Sequence, residues 1–281
     1  MTQSAGYQGV PAERGASAVH EAVPPDEETI LEELTDAAEQ HPERTLLHYR
    51  ALVSGRQYRR LYTLTCRYVP AGARVLDWGA GNGHFSYFLA RSGYRATGYS
   101  LVEDSFEDWI PSSEYRLVRG DPAEPSRLPF PDESFDAVVS VGVLEHVRET
   151  GGAEAASLAE IARTLRPGGV FLCYHFPNRT SWVDRAARLI PGMHHHEYRY
   201  TRRDIEALSA GAGLTLLETR RYGALPRNGW HRFPRRLRRS RLLADTWDAL
   251  DAALSLLLSP LCQNHLFVSR KGMERRPPWP T

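Results

Sequence analysis

Short apolar runs recur along the chain and predict seven β-strands. These runs are Arg74–Leu76, Tyr94–Ser100, Tyr115–Gly120, Phe135–Val141, Val170–Phe176, Leu214–Thr219 and Asn264–Ser269. Helical periodicity separates several of them, most clearly over Ala153–Leu165. The alternation of strand and helix is typical of an α/β protein with a mostly parallel sheet and helices on both faces.

Helical patterns also precede the first strand. Asp26 is a candidate cap for a helix with an apolar stripe at Ile30, Leu31 and Leu34, and a second helical pattern follows Pro42. A third pattern spans Gly55–Val69 and contains three tyrosines, Tyr58, Tyr62 and Tyr68. These tyrosines either pack against the sheet or line a pocket, and the pattern alone leaves both interpretations open.

The segment after the first strand is rich in glycine and resembles a ligand-binding turn. It runs Asp77-Trp78-Gly79-Ala80-Gly81-Asn82-Gly83 and leads into a predicted helix. Glycine allows positive φ and the close approach of a ligand to backbone amides at the helix N-terminus. A dinucleotide fingerprint requires glycine at the position that His84 occupies, so the spacing disfavours a nicotinamide dinucleotide.

Four segments occur in an order that resembles the class I S-adenosylmethionine-dependent methyltransferases. After the glycine loop come Gly120-Asp121 with Leu128-Pro129-Phe130, Phe135-Asp136 continuing into Leu144-Glu145-His146, and Leu165-Arg166-Pro167-Gly168-Gly169. The resemblance implies a Rossmann-like sheet of seven strands, closed by a final antiparallel strand. It also implies S-adenosyl-L-methionine as the cofactor.

The resemblance carries the donor-binding role onto positions at the ends of the first four strands. The cofactor-binding residues so predicted are Asp77, Gly79, Ala80, Gly81, Asn82, Gly83, Ser100, Leu101, Asp121, Pro122, Ala123, Val141 and Gly142. Asp77 is expected near the methionine end, and Asp121 at the adenine amino group. Ser100 replaces the acidic residue that commonly binds the ribose, and Glu103 or Asp104 could compensate for it. For Asp121, a turn-capping role is the alternative.

Histidines supply the candidate catalytic groups. His146 follows the fourth strand and could take a proton from an attacking hydroxyl, although the same tripeptide could serve in capping or cofactor contact. His194-His195-His196 predicts a lid over the acceptor with one histidine, His195, facing inward. Adjacent residues of an extended segment alternate between faces, so these three predict no metal site.

Composition disfavours some classes of partner but does not identify the function. The chain has 281 residues and a net charge of +1, which favours neither nucleic acid nor membrane as a partner. Its three cysteines are far apart in sequence, which fits a reducing cytoplasm, and the segment 1–25 has no signal-peptide pattern. No segment resembles those that hold a flipped base.

A basic stretch near the C-terminus is open to two interpretations. The stretch 227–241, here called the basic arm, contains seven arginines and could contact phosphate or an anionic lipid surface. The helix predicted over Leu242–Leu261 has Asp245, Asp248 and Asp251 on its polar face, so it does not span a bilayer. A packed helix that leads to the seventh strand is the favoured interpretation.

The predicted organisation has six parts. They are a leader (1–25), a helical cap (26–70), the cofactor-binding core (71–177), a lid with its helix (178–213), the C-terminal part of the core (214–271) and a tail (272–281). The predicted function is methyl transfer to a small molecule, most simply to a hydroxyl of a secondary metabolite or a sugar-bearing intermediate. The alternatives are a non-catalytic scaffold that keeps the fold, or a methyltransferase for a lipid-linked or nucleic-acid substrate.

Overall fold

A computed structural model describes residues 25–101 and 107–273. The predicted leader and most of the predicted tail lie outside these residues, as do Glu103 and Asp104. The described strands are β1 Arg74–Trp78, β2 Arg95–Ser100, β3 Arg116–Arg119, β4 Phe135–Val141, β5 Leu165–Pro177, β6 Leu214–Tyr222 and β7 Asn264–Lys271. Each of the seven predicted strands is therefore present.

The strands form one sheet in the order β3-β2-β1-β4-β5-β7-β6. Neighbouring strands are parallel except for β7, which runs antiparallel to both β5 and β6. The chain reverses its direction of winding between β1 and β4, where Asp77 pairs with Val139. Ligands of open α/β sheets bind at the carboxyl ends of the strands beside such a reversal. The predicted Rossmann-like fold class is confirmed.

Helices lie on both faces of the sheet. They are α1 Glu27–Gln40, α2 Leu52–Gly55, α3 Arg59–Tyr68, α4 His84–Arg91, α5 Glu154–Thr164, α6 Trp182–Ala187, α7 Arg202–Gly211, α8 Arg235–Arg238 and α9 Arg241–Leu257. The side chain of Asp26 accepts a hydrogen bond from the Thr29 amide and caps α1 as predicted. A capping box of Thr201 and Asp204 starts α7.

Several predicted elements differ in extent from the observed ones, and three of them are instructive. The segment after Pro42 forms two 3₁₀ turns (42–44 and 47–50) instead of a helix. β5 begins at Leu165, because that residue pairs with Phe135 ahead of an irregularity in the ladder. The inserted helix that the sequence predicts over 178–190, within the lid, spans only Trp182–Ala187. It starts late because Asn178 is held by the carbonyls of Pro260 and Cys262.

The tyrosines of the cap divide between the two interpretations left open by the sequence. Tyr62 is fully buried and stacks on Phe88 with ring centroids 4.0 Å apart. Tyr58 lines the larger of two cavities described below, where its ring meets His175 edge-on at 5.3 Å. One tyrosine therefore belongs to the core, and the other belongs to a pocket wall.

The basic arm is bound to the cap by ion pairs. Arg239 lies 2.9 Å from Glu39 and 2.7 Å from Asp36, both on α1, and Arg235 also contacts Glu39. The hydrogen bond from Arg239 lowers the pKa of Glu39 to about 2, with burial opposing it. These arginines therefore have carboxylate partners within the fold.

The helix α9 packs against the protein through two acids of its polar face as well as through Ala244. Asp248 and Asp251 face inward and hold the guanidinium of Arg227 at 2.6 and 3.2 Å. Leu242 and Leu256, by contrast, are 79% and 84% exposed. Sequence periodicity shows two faces but not which one packs, and the buried arginine decides it here. Over the described part of the chain, no helix is long and apolar enough to cross a membrane.

Candidate functional site

The loop after β1 is a tight turn in which three glycines have positive φ. The angles are +80° at Gly79, +52° at Gly81 and +78° at Gly83. The amides of Gly79 and Ala80 both donate to the carbonyl oxygen of Tyr99 at 2.9 Å, which fixes the loop against β2. A Cβ atom on Gly79 would lie 2.4 Å from Val143 Cγ2, so both conformation and space require glycine there.

The cap covers this loop. The side-chain amide of Asn82 donates to the carbonyl of Thr45 at 3.3 Å. His84 lies 3.0 Å from the Tyr49 hydroxyl through Nδ1, and its ring centroid lies 4.5 Å from that of Tyr58. Burial lowers the pKa of His84 to about 3. An uncharged imidazole packed against tyrosines thus occupies the position where a dinucleotide fingerprint has glycine.

Asp77 is a buried carboxyl group beneath the loop. It is 1% exposed, and Ser86 Oγ donates to its Oδ2 at 2.7 Å. Burial raises the pKa of Asp77 to about 7, and the hydrogen bonds from Ser86 oppose that rise. A carboxyl group with such a pKa ionises readily when a cationic group lies beside it.

A cavity of about 180 Å³ lies beside the glycine loop, here called the donor cavity. Its lining comprises Trp78, Gly79, Gly81, Tyr99, Ser100, Leu101, Pro125, Val143, His146, Val147 and Thr150. Most of these side chains are apolar or aromatic and suit a flat ring. Ser100 is buried in this wall, and its carbonyl accepts a hydrogen bond from the Gly120 amide. The compensating role of Glu103 or Asp104 falls outside the described residues.

The segment Asp121-Pro122-Ala123 is exposed and is not part of that lining. Asp121 Oδ1 accepts a hydrogen bond from the Ala123 amide at 2.8 Å, which is a turn-stabilising contact. The contact of Asp121 with adenine therefore stays a prediction.

A second cavity of about 630 Å³ adjoins the donor cavity and is called here the acceptor cavity. Val141 and Gly142 line it from the end of β4, so these two predicted cofactor residues border the larger space. Its other walls come from the cap, the lid and the strand β7, and many of its side chains are polar. The polar side chains include Gln57, Arg227, Asn228, Asp248, Asp251, Gln263 and Asn264.

His146 lines both cavities and marks where they meet. Its Nδ1 lies 2.9 Å from Glu149 Oε1, and its Nε2 lies 3.9 Å from Glu145 Oε1. Glu145 is 3% exposed, and burial raises its pKa to about 8. The motif resemblance drew attention to His146, although its neighbour Glu145 is the more deeply buried group.

The lid places two of its three histidines on the acceptor cavity. His194 and His196 line it, and His196 Nδ1 lies 3.2 Å from Asp184 Oδ1. His195 is exposed and lies outside the lining, with its Nδ1 3.4 Å from the Met193 carbonyl. Side chains of an extended segment alternate, so the inward positions fall on either side of the residue that the sequence singled out. A catalytic role for His195 stays a prediction that this placement does not support.

His175 is a cavity residue that the sequence analysis missed. It has a φ of +66° at an irregularity in the pairing of β5 with β7. The Tyr222 hydroxyl accepts from the His175 amide at 2.9 Å and lies 3.0 Å from His175 Nδ1. Burial lowers the pKa of His175 to about 3. No sequence pattern predicts left-handed backbone at a histidine within a strand, and such outliers cluster at functional sites.

Comparison with known proteins decides the family. The profile of the Methyltransferase domain family matches residues 76–173. Ubiquinone biosynthesis O-methyltransferase of Xanthomonas axonopodis pv. citri is 31% identical over 174 residues, which cover 56% of this chain and 69% of that protein. This chain belongs to the class I S-adenosylmethionine-dependent methyltransferases.

Two further methyltransferases are similar to this one. Demethylmenaquinone methyltransferase of Tropheryma whipplei (strain Twist) is 34% identical over 127 residues, which cover 43% of this chain and 49% of that protein. The chain thus spans about half the length of that curated relative. The structure of a Burkholderia thailandensis N-methyltransferase with bound S-adenosylhomocysteine shares the fold, with a TM-score of 0.51, 20% identity and coverage of 89% of this chain and 91% of that one.

The residues present fit S-adenosylmethionine, the cofactor of these methyltransferases. A Cβ atom on Gly81 would meet nothing nearer than the Gly79 carbonyl oxygen at 3.8 Å, so the loop has an open face. Beside it lies the apolar donor cavity, which suits a nucleobase. Asp77 lies beneath the loop and outside the lining of both cavities, and its ionisable carboxyl group suits an ammonium or a sulfonium.

Proposed function

We propose that this methyltransferase transfers a methyl group to a hydroxyl oxygen of a small molecule in the cytoplasm, such as a secondary metabolite or a sugar-bearing intermediate. The observation that carries the proposal is the shared wall at His146, where a cavity beside the glycine loop meets a larger polar cavity. Two adjoining cavities are what a donor and an acceptor require.

On the donor side, we assign the predicted residues to parts of S-adenosylmethionine. Asp77 would balance the charge of the methionine end, and the loop from Gly79 to Gly83 would approach its carboxylate. Ser100 and Leu101 would border the ribose, and the segment Asp121–Ala123 would read the adenine edge if it turns inward when the cofactor binds. When bound, S-adenosylmethionine supplies a methyl group on a sulfonium, which is already a good leaving group.

On the acceptor side, the walls favour a hydroxylated molecule. The amide side chains of Gln57, Gln263 and Asn264 can each donate and accept hydrogen bonds, and Tyr58 offers an aromatic face. Cap and lid both contribute to the lining, which supports their assignment as the acceptor-binding parts of the chain. Two of the curated relatives are named for demethylmenaquinone and for ubiquinone biosynthesis, and the second of these names specifies oxygen methylation.

Orientation is the main contribution that we assign to the protein. In-line placement of an oxygen and a methyl carbon supplies much of the acceleration of such a transfer. Glu149 holds Nδ1 of His146, so Nε2 is the nitrogen left to interact with an acceptor oxygen. Closed walls around the reacting atoms would keep water from competing with the acceptor.

Calorimetric titration of S-adenosylmethionine and S-adenosylhomocysteine tests the donor half of the proposal. We expect micromolar dissociation constants that Asp121→Ala raises at least about tenfold, the loss of one charge-assisted hydrogen bond. Glu124→Ala, in the same exposed turn, is the matched control and should bind normally.

Three outcomes would contradict the proposal. Binding of neither ligand would favour a scaffold that keeps the fold without turnover. Binding of both without S-adenosylhomocysteine formation across a panel of hydroxylated acceptors would contradict oxygen methylation. An acceptor affinity that falls steeply with salt would instead favour a nucleic-acid substrate.

A further inference from the structure

Three potential metal ligands converge where the donor and acceptor cavities meet. Glu145 and His146 follow β4, and His196 comes from the lid fifty residues later in the chain. One ligand atom from each of the three lies within 4.8 Å of the other two. Zinc bonds of about 2.0–2.2 Å place ligand atoms roughly 3.4 Å apart in a tetrahedral site, so modest side-chain rotation would close this triangle.

Both imidazoles are oriented by carboxylates on their far side. His146 Nδ1 lies 2.9 Å from Glu149, and His196 Nδ1 lies 3.2 Å from Asp184. A carboxylate at Nδ1 accepts a hydrogen bond from the Nδ1–H group, which fixes the proton on that nitrogen and leaves the Nε2 lone pair for a metal. Two independent histidines, from distant parts of the chain, show this same outer arrangement.

Glu145 gives the observation that points to a ligand. Its side chain is 3% exposed, and among the described residues Oε2 has no hydrogen-bond partner. A buried carboxylate oxygen without a partner costs free energy unless something compensates it. A bound cation at the cluster would compensate it.

We propose that Glu145, His146 and His196 bind one divalent transition-metal ion of the zinc type. Two imidazoles and one carboxylate are a donor set that Zn²⁺ accepts in sites with an open coordination position. Mg²⁺ prefers oxygen ligands and fits this set poorly. The three adjacent lid histidines do not converge on one ion, since only His196 belongs to the cluster.

The open coordination position gives the ion a role in activating the acceptor, and this role rests on the proposed function. An acceptor hydroxyl in the larger cavity coordinates the ion through oxygen, and the ion lowers the pKa of that hydroxyl. The O–H bond then breaks, the electron pair stays on the metal-bound oxygen, and the proton passes to water. With the ion bound, Nε2 of His146 is a ligand and not a proton acceptor.

Direct metal binding tests the site without any donor or acceptor. Full-length protein is stripped with a chelator and titrated with Zn²⁺ alone against a chromophoric competitor. We expect one equivalent to bind with a micromolar or lower dissociation constant. Glu145→Gln and His196→Gln should each weaken binding at least about tenfold, and Asp184→Asn should weaken it about tenfold through His196. His195→Gln is the matched control and should bind as the wild type does.

Several results would overturn the site. These are the absence of Zn²⁺ binding by the wild type, wild-type affinity in His196→Gln, or displacement of Zn²⁺ by an equal concentration of Mg²⁺. Circular dichroism and thermal melts establish that each variant is folded, and the half-buried position of His196 on the lid makes that variant safer than one at the buried Glu145. As a second readout, Co²⁺ should give the d–d absorbance of mixed nitrogen and oxygen ligands, lost in His196→Gln.

The two proposals can fail separately. Zn²⁺ binding with no S-adenosylmethionine binding would keep the metal site and contradict methyl transfer. S-adenosylmethionine binding and turnover in stripped protein with no Zn²⁺ binding would contradict the metal site alone.

Discussion

Ser86 donates its hydroxyl hydrogen to Asp77 Oδ2 over 2.7 Å, in a region where both side chains are buried. The pair joins the first turn of α4 to the strand β1 beneath the glycine loop. Since burial raises the pKa of Asp77 to about 7, the serine only partly offsets the cost of burying the carboxylate. Two consequences for pH follow.

Asp77→Asn should change how stability depends on pH. Between the ordinary pKa of 3.8 and the folded value of about 7, the folded wild type binds more protons at this site than the unfolded chain does. Its free energy of unfolding therefore falls as pH rises through that window. Asp77→Asn removes the titrating group. Relative to that of the wild type, its free energy of unfolding should therefore rise by about 2–4 kcal/mol between pH 4 and pH 8. Urea unfolding at both pH values measures the change, with exposed Asp108→Asn as control. Parallel pH profiles for Asp77→Asn and wild type would contradict the expectation.

Cofactor binding should release a proton through the same group. If the cationic end of S-adenosylmethionine lies beside Asp77, binding favours the ionised carboxylate and releases its proton near pH 6–7, about where Asp77 titrates. Calorimetry in buffers of different ionisation enthalpy counts the released protons. Asp77→Asn should release fewer, and an unchanged count would place the cofactor's charge elsewhere.

Gly79→Ala should lower the free energy of unfolding by more than the strain of a positive φ alone would. The new Cβ would lie 2.4 Å from Val143 Cγ2, and the residue would keep a φ of +80°. We expect a loss of about 2–4 kcal/mol in unfolding free energy, from strain and overpacking together. Gly93→Ala is a matched control, since Gly93 has a φ of +77° and nothing within 4 Å of a Cβ atom. It should lose only about 1 kcal/mol. Chemical denaturation measures both losses of unfolding free energy. Equal losses in the two variants would show that Val143 moves aside without a measurable cost.

Arg239→Ala should destabilise the fold and leave donor binding unchanged. The substitution removes the partner that holds the pKa of Glu39 near 2, and we expect a loss of about 1 kcal/mol at neutral pH. A depressed carboxyl pKa stabilises the fold above its ordinary value of 4.5, so the loss should shrink as pH falls from there toward 2. Arg236 is exposed and has no ion pair among the described residues, so Arg236→Ala should have little effect. A larger loss in Arg236→Ala would show that the arm's charge serves something other than the cap.

A comparison of His175→Asn with His175→Val should separate the effect of the backbone conformation from the effect of losing the imidazole. Both variants remove the ring from the acceptor cavity, so acceptor affinity should fall alike in both. Only valine resists the φ of +66°, because β-branched residues rarely adopt positive φ and asparagine does so readily. Thermal unfolding should therefore show valine less stable than asparagine by about 1–2 kcal/mol. Equal stability would mean that the strand relaxes to an ordinary conformation.

The sheet and the glycine loop could be predicted because their signals are local. Strand periodicity, turn glycines and helix caps such as Asp26 and Thr201 all depend on residues a few positions apart. The order of the motifs, through the family resemblance, then predicted one mostly parallel sheet of seven strands with a final antiparallel strand. Boundaries differed mainly where tertiary contacts intervene, as where Asn178 is held by two distant carbonyls.

The acceptor side could not be predicted to the same depth because it is assembled from distant segments. Glu145 stood next to His146 in a quoted motif, but nothing in sequence shows that it is buried or that His196 reaches it. The partners of the basic arm lie two hundred residues away on α1. The alternation of side chains along an extended segment did predict that the lid histidines lie on different faces. It could not predict which of them face the cavity.

Hydrophobic residues usually tolerate substitution less well than charged residues do, and several positions of helix α9 show the opposite. Its inward side holds a guanidinium between carboxylates, whereas Leu242, Leu256 and Leu257 are 79%, 84% and 78% exposed and add little to the core. Exchanges of these leucines for polar residues should therefore be silent for folding, and conservative exchanges of Asp251 or Arg227 should not be. In this segment, sequence drift at the exposed leucines would be neutral, and selection for stability would act on the charges and on the buried Ala244.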